Sequence, residues 1–342
     1  MTEPRFLVVR LGSLGDIVHT FPAVSGLRES FPNSEIIWLT HARWKTLVES
    51  CSLASHIWTM DSRVWSSIRE VIAQIRKANF TTSIDYQGLW KSAVPEFLAG
   101  VKCRVGFSSE SIREFGVPIL YTNRVRATSA HVADQNAELS SRAGARHPVG
   151  PVQLQVPPED QVSVRNFLKT NGAERYVVLS PGGGWRSKCW PAERFGALCE
   201  KIHQTLALPC VINYGPGEES LASAIQSSSG SAAPLLYNGS LGSLMALLRN
   251  ALCIVGGDTG PLHLAVALGT PAVAIFGPTD PARNGPYGGV DRNRQASKES
   301  IVLRSPDAIT TYKRGDRPDA SLLKIEIDAV YDAVRNLLGP TA

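Results

Sequence analysis

The sequence alternates between two hydrophobic periods, and it does so twice. From Phe6 onward, short β-branched runs alternate with stretches whose apolar residues recur at helical spacing, and the same alternation restarts at Tyr176. A strand that is followed by a helix before the next strand pairs in parallel, with helices covering the sheet on both faces. The chain is therefore confined to the α/β class. The first series reads as strands at Phe6–Arg10, Ile36–Thr40, His56–Met60, Thr82–Tyr86 and Arg104–Phe107, with helices over Ile17–Ser30, Ala42–Ser50, Val64–Ala78 and Leu89–Ala99. The second has strands at Tyr176–Ser180, Cys210–Tyr214, Leu235–Tyr237, Cys253–Gly256 and Ala272–Phe276, with helices over Ala192–Leu206, Glu218–Ser227, Ser243–Asn250 and Pro261–Leu268. Between them Ala143–Asp160 carries four prolines and no period, and marks a boundary. The expected domains are residues 1–155 and 156–325, which suits 342 residues at about 150 per domain. A last helix within 326–342 is expected to pack back on the first domain. The polar stretch Asp291–Asp319 reads as a long loop.

Composition narrows the function classes. Apolar residues make up 43% and charged residues 19%, enough for two cores and too apolar for a disordered chain. No apolar run approaches the roughly 20 residues that cross a bilayer, and the N-terminus enters a strand at once, without the pattern of an export signal. A cytoplasmic protein is expected. The net charge of +5 suits an anionic ligand or an acidic membrane face and is too small to argue for nucleic acid. The six cysteines form no C-x-x-C pair and read as reduced thiols in or near the cores. No H-E-x-x-H is present.

In open α/β sheets ligands bind beyond the C-terminal ends of the strands, so the loops after the strands carry the candidates. Arg10-Leu-Gly-Ser-Leu-Gly-Asp16 joins the first strand to the first helix, and Gly12, Ser13 and Gly15 let backbone amides approach an anion or a sugar. A dinucleotide fold would need G-x-G-x-x-G and an acid closing the second strand, where this chain has Thr40-His41. Asp16 is either a helix-capping carboxylate or a base for a substrate hydroxyl; His19 either supports it or packs. In the second half, Ser180-Pro-Gly-Gly-Gly-Trp-Arg-Ser-Lys188 exposes the amides of three consecutive glycines, Gly182, Gly183 and Gly184, beside Arg186 and Lys188. It resembles a phosphate cradle without the Gly-Lys-Ser/Thr of a Walker loop. Gly257-Asp-Thr-Gly-Pro-Leu-His263 places the amides of Thr259 and Gly260 at a helix start, where they favour phosphate. Asp258 suits a hydroxyl, the orientation of His263 or the fixing of the loop. Glu218, after Tyr214-Gly-Pro-Gly, is either a surface acid at a helix start or an acceptor for sugar hydroxyls.

Five segments, Arg10–Pro22, Asp85-Tyr-Gln-Gly-Leu-Trp-Lys-Ser92, Lys188-Cys-Trp-Pro191, Gly257–His263 and Phe276-Gly-Pro-Thr-Asp-Pro281, resemble in order the ADP-heptose:lipopolysaccharide heptosyltransferases, glycosyltransferase family 9. The resemblance implies a GT-B fold, two Rossmann-like parallel-sheet domains facing across a cleft, the first binding acceptor and the second the nucleotide-sugar donor. It implies an inverting, metal-independent transfer of heptose from ADP-L-glycero-D-manno-heptose to the inner core of lipopolysaccharide, on Kdo-lipid A or a heptosyl acceptor, without cofactor. Asp16 would be the catalytic base and Lys188 a contact of the donor phosphates. Glu218 would bind donor hydroxyls, and Asp258, Thr259, Gly260 and His263 would frame the diphosphate and sugar. Lys91 and Arg113 would join Gly12, Ser13 and Gly15 on the acceptor side, with Arg63, Arg69 and Arg124 as further basic candidates. A peripheral position on the cytoplasmic face of the inner membrane is expected. The alternatives are the same chemistry with another donor or glycan acceptor, a nucleotide-sugar epimerase, and a binding protein without turnover.

Overall fold

The computed structural model describes residues 3–150, 152–288, 300–311 and 313–339. The chain divides into two compact units, Met1–Gln155 and Val156–Ala342.

The first unit runs β1 (Arg5–Val9), α1 (Leu14–Val18), α2 (Phe21–Ser30), β2 (Glu35–Thr40), α3 (Lys45–Ser50), β3 (His56–Thr59), α4 (Trp65–Ala78), β4 (Thr82–Asp85), α5 (Trp90–Leu98), β5 (Cys103–Phe107), β6 (Asn123–Val125) and α6 (Val132–Arg142). Its six strands lie in the order β3-β2-β1-β4-β5-β6, every pair parallel. Strand order reverses at β1, so the loops after β1 and β4 open at the topological switch point. Leu7 and Val9 of β1, Ile37 and Leu39 of β2 and Val71 and Ile75 of α4 close one core face. The helix expected over Ile17–Ser30 is two helices. Pro22 stands in the first turn of α2, where its missing N–H costs nothing. Within a continuous helix its ring would clash with the carbonyl four residues earlier.

The second unit runs α7 (Pro158–Thr170), β7 (Val177–Ser180), α8 (Ala192–Leu206), β8 (Cys210–Asn213), α9 (Glu219–Ser227), β9 (Leu235–Tyr237), α10 (Leu241–Asn250), β10 (Cys253–Gly257), α11 (Gly260–Ala267), β11 (Ala272–Phe276), α12 (Pro281–Asn284), β12 (Ser300–Arg304), α13 (Ala320–Leu323) and α14 (Ile327–Leu338). Its parallel order is β12-β11-β10-β7-β8-β9, with the switch point between β7 and β10.

Two expectations change, and the last helix has its place in the second unit: Val330, Tyr331 and Val334 of α14 are buried in the second core with Val255 of β10, Val273 and Ile275 of β11 and Leu198 and Ile202 of α8. The reason is its strong apolar stripe, which the second sheet's uncovered face accepts. The supposed loop Asp291–Asp319 contains β12, paired in register with β11; residues 291–299 lie outside the described ones. The proline-rich boundary ends inside α7, because Pro158 at a helix start is pre-organised and Glu159 and Asp160 in the first turn suit the dipole.

Candidate active site

In the first unit the loop after β1 is built around one ion pair. Arg10, the last residue before the loop, is buried, and its Nη2 lies 2.7 Å from Oδ1 of Asp16. The other carboxylate oxygen of Asp16 accepts from both the N–H and the hydroxyl of Ser13, each at 3.0 Å. Asp16 thus fastens the start of α1 and still keeps 42% of its side chain in solvent. Both readings of this residue fit the same geometry, because a capping carboxylate that remains half-exposed keeps lone pairs for an incoming hydroxyl. The loop after β4 braces the arrangement. Oε1 of Gln87 accepts from the amides of Leu11 (3.0 Å) and Gly12 (3.2 Å), and the carbonyl of Tyr86 accepts from Nη1 of Arg10. Asp85 anchors that brace in turn. Fully buried, it accepts from the amides of Gln87 and Gly88 and from the hydroxyls of Ser92 and Tyr121. A side chain at Gly12 would meet the Trp44 indole at 2.9 Å. His19 is buried and packs edge-on against His131, with ring centroids 5.2 Å apart.

The basic residues named for the acceptor are less uniform. Lys91, in the first turn of α5, and Arg113 are exposed, and Ile112 beside Arg113 packs close to Gly88. Both therefore sit by the loop that braces Asp16. Arg63 is committed to Asp61 through two hydrogen bonds, at 3.0 and 3.1 Å. Arg69 and Arg124 are exposed on α4 and β6.

In the second unit the structure brings the donor candidates together at the switch point. Lys188 ends a 3-10 turn, Arg186–Lys188, held by the segment after β12: the Gly315 carbonyl accepts from the Ser187 amide at 3.1 Å, and the Ser187 carbonyl accepts from the Asp319 amide at 3.1 Å. Its ammonium donates to the Asp258 carbonyl, pairs with Asp258 Oδ2 at 3.5 Å, and stands 4.5 Å from the centre of the Trp185 ring. Asp258 Oδ1 lies 3.1 Å from Nε2 of His263. Burial pushes the Asp258 carboxyl up, but the His263 hydrogen bond and the Lys188 charge outweigh it and hold the pKa below the usual aspartate value. The three side chains form one buried chain, cation, carboxylate, imidazole.

Beside that chain the N-terminus of α11 is open. Thr259 occupies the N-cap without a side-chain cap, and its hydroxyl, on a residue 7% exposed, has no partner among the described residues. A buried donor without a partner costs about 1–3 kcal/mol, so the site is poised for a ligand atom. Glu218 accepts from the Gly215 amide at 2.8 Å and lies over Gly182, where a Cβ would fall 2.0 Å from its Oε1. Gly183 faces Cys189 and Thr259, while a Cβ on Gly184 would meet nothing within 4 Å. A side chain on Gly182 would displace the Glu218 carboxylate, whereas a Cβ on Gly257 would meet backbone, the Lys188 carbonyl, at 2.9 Å. The residue pattern assigned no role to Arg10 or Gln87; Gln87 reaches Leu11 and Gly12 across 76 and 75 residues of sequence.

Phosphate-favouring amides, a lysine and a carboxylate for hydroxyls thus stand on one unit, and a braced, half-exposed carboxylate on the other. The sequence model of glycosyltransferase family 9 (heptosyltransferase) matches residues 68–306. The chain belongs to this family. It is 24% identical to lipopolysaccharide heptosyltransferase 1 of Campylobacter coli over 98% of this chain and 99% of that one. Among solved structures, the family 9 glycosyltransferase of Veillonella parvula superposes with a TM-score of 0.82 at 22% identity, covering 99% of this chain and 98% of that one. The E. coli heptosyltransferase WaaC with ADP superposes at 0.74 and 22% identity, covering 97% and 99%. The fold is that of the GT-B heptosyltransferases, and the protein is a glycosyltransferase. Among the described residues no helix is long and apolar enough to cross a membrane.

Proposed function

We propose that this heptosyltransferase moves heptose from ADP-L-glycero-D-manno-heptose to the inner core of lipopolysaccharide, with inversion and with neither metal nor cofactor. The observation that carries the reading is the buried Lys188–Asp258–His263 chain beside the uncapped start of α11, a preformed seat for a diphosphate. Support for an ADP-linked donor comes from the name of its structural relative, solved with ADP, and support for the acceptor from the name of the lipopolysaccharide heptosyltransferase it resembles over its whole length.

In this reading Asp16 takes the proton of the acceptor hydroxyl while its oxygen forms a bond to the anomeric carbon. The bond from that carbon to the diphosphate oxygen breaks, and its electron pair leaves with ADP. Negative charge then grows on the departing phosphate. Lys188 and the amides of Thr259 and Gly260 stand ready to meet it without reorganising, which is the most effective form of electrostatic stabilisation. Asp258 holds Lys188 in place, and Glu218 takes sugar hydroxyls of the donor. Gly12, Ser13, Gly15, Lys91 and Arg113 hold the acceptor. Lys91 and Arg113 are matched to its phosphates and carboxylates. A lipid-borne acceptor puts the enzyme at the cytoplasmic face of the inner membrane.

ADP release, followed with ADP-heptose in the presence and absence of Kdo-lipid A, tests this. Release that depends on the acceptor is expected. Release without acceptor, or isomerised sugar, replaces transfer by hydrolysis or epimerisation.

A further inference from the structure

The first unit leaves an apolar surface uncovered. After β5 the chain passes through residues 108–116 into a 3-10 turn, Val117–Leu120. The inner side of this turn is committed, since Val117, Leu120 and Tyr121 pack with Ala93 of α5. Its outer side is not: Phe115 is 99% exposed and Ile119 71%. Helix α5 continues the surface. Trp90, Phe97 and Leu98 stand seven and eight residues apart, hence on one helix face, and all three are exposed. Two contacts join helix and turn. The Trp90 ring lies 3.1 Å from where a Cβ would stand on Gly116, next to Phe115. Arg104 stacks 5.3 Å from the centre of the Phe97 ring while its Nε donates to the Leu120 carbonyl, beside Ile119. Single exposed apolar residues need no explanation, but a joined set of this kind marks a contact surface.

Charge identifies the partner. Between Leu89 and Arg126 the chain carries Lys91, Lys102, Arg104, Arg113, Arg124 and Arg126 against the acids Glu110 and Glu114, the third acid, Glu96, being buried. Arg104 lies over Phe97, Lys91 follows Trp90 and Arg113 stands two residues before Phe115, with Glu114 accepting from the Trp90 amide as the acid at the patch; apolar side chains with cations beside them match the boundary between acyl chains and anionic headgroups. Two copies of the chain meeting through this face would bring like charges together. The surface also adjoins the reaction. Ile112, at the root of the exposed loop, packs 3.1 Å from the Cβ position of Gly88, and the neighbouring Gln87 holds the amides of Leu11 and Gly12 in the Asp16 loop.

We propose that Phe115, Ile119 and the exposed face of α5 dock the protein on an anionic lipid bilayer. This deepens the membrane reading above, on which it rests, by assigning the contact to one face. Docked in this way, the unit presents the Asp16 loop close to the headgroup plane, where the sugar of a lipid-borne acceptor lies.

Co-sedimentation of the full chain with vesicles tests the assignment. The wild type is expected to bind phosphatidylethanolamine vesicles containing phosphatidylglycerol, and to bind pure phosphatidylcholine at least about tenfold more weakly, with the difference shrinking in high salt. The double substitution Phe115→Ser/Ile119→Ser should weaken binding to the anionic vesicles at least about tenfold while leaving the thermal midpoint and turnover on a soluble, delipidated acceptor unchanged. Phe97→Ser/Leu98→Ser, on the helical part of the face, gives an independent reading in the same direction. Unaltered vesicle binding by both double variants overturns this face and leaves membrane contact standing. A wild type that ignores anionic vesicles overturns both, and a dimer that these substitutions dissolve makes the surface an interface between copies. None of these outcomes bears on acceptor-dependent ADP release, which tests the reaction separately.

Discussion

The two switch points are built from the same parts in opposite arrangement. In the first unit a buried cation, Arg10, supports a carboxylate that reaches solvent; in the second a buried carboxylate, Asp258, supports a cation, Lys188, that is itself only 11% exposed. In the proposed reaction the first arrangement supplies the base for the acceptor hydroxyl. The second stores positive charge where it is weakly screened and strengthens the field of an open helix start. The chemical difference lies in exposure: Asp16 keeps 42% of its side chain in solvent, whereas Lys188 and Asp258 keep only 11% and 10%.

That contrast predicts different kinetic signatures. Asp16→Ala should lower turnover by about 10²- to 10⁴-fold, the range of a general base, and leave ADP affinity nearly intact by calorimetry. Lys188→Ala should lower turnover by about 10²- to 10³-fold and also weaken ADP binding, because the lost charge meets both ground-state and departing phosphate. Equal loss of ADP binding in the two variants would break the division of roles.

Much of the fold that places these loops was readable in the chain. Val177–Ser180 and Cys253–Gly257 are buried along their whole length, and parallel strands covered on both faces read as continuous apolar runs. Their positions in turn locate the loops that carry Lys188 and Asp258. Where the alternation failed, the residues explain why. Helix α6 buries one large apolar residue, Leu139, among Ala133, Asn136, Ala137 and Ser140, small or polar side chains that blur its hydrophobic stripe, and β6 is a three-residue strand at the sheet edge. At the sites, residue type and loop position pointed to Asp16, Lys188, Glu218 and Thr259. What held them did not show, since the Gln87 brace of Gly12 spans 75 residues of sequence and Glu218 reaches Gly182 only through the fold.

The glycine loop offers a smaller test within the second unit. Gly182→Ala forces the Glu218 carboxylate away, and about a tenfold loss of donor affinity is expected, equivalent to some 1.4 kcal/mol. Gly184→Ala, with open space around the new methyl group, should bind donor like the wild type. If both substitutions weaken binding equally, the loop acts through its flexibility, and the close approach of Glu218 is immaterial.

The contrast extends to a buried carboxyl outside the candidate site, Glu96. Asp258 is held below its ordinary pKa by a histidine and a lysine, whereas Glu96 on α5 is pushed well above the usual glutamate value, by burial first and then by repulsion from Asp85. The signs of their linkage to stability are opposite. As pH rises above the ordinary carboxyl range, the unfolded chain releases the Glu96 proton that the folded chain retains, so stability falls toward the folded pKa. As pH drops below that range, the unfolded chain protonates Asp258 first, and the stability from its ion pair is lost. Glu96→Gln, which supplies an uncharged group of the same shape, should therefore gain in thermal midpoint relative to wild type as pH rises above the ordinary carboxyl range. Asp258→Asn should be less stable than wild type at neutral pH, by a margin that narrows toward pH 3. A Glu96→Gln difference that stays flat with pH would mean that Glu96 is ionised in the folded protein, with a cation or water compensating it inside the first unit.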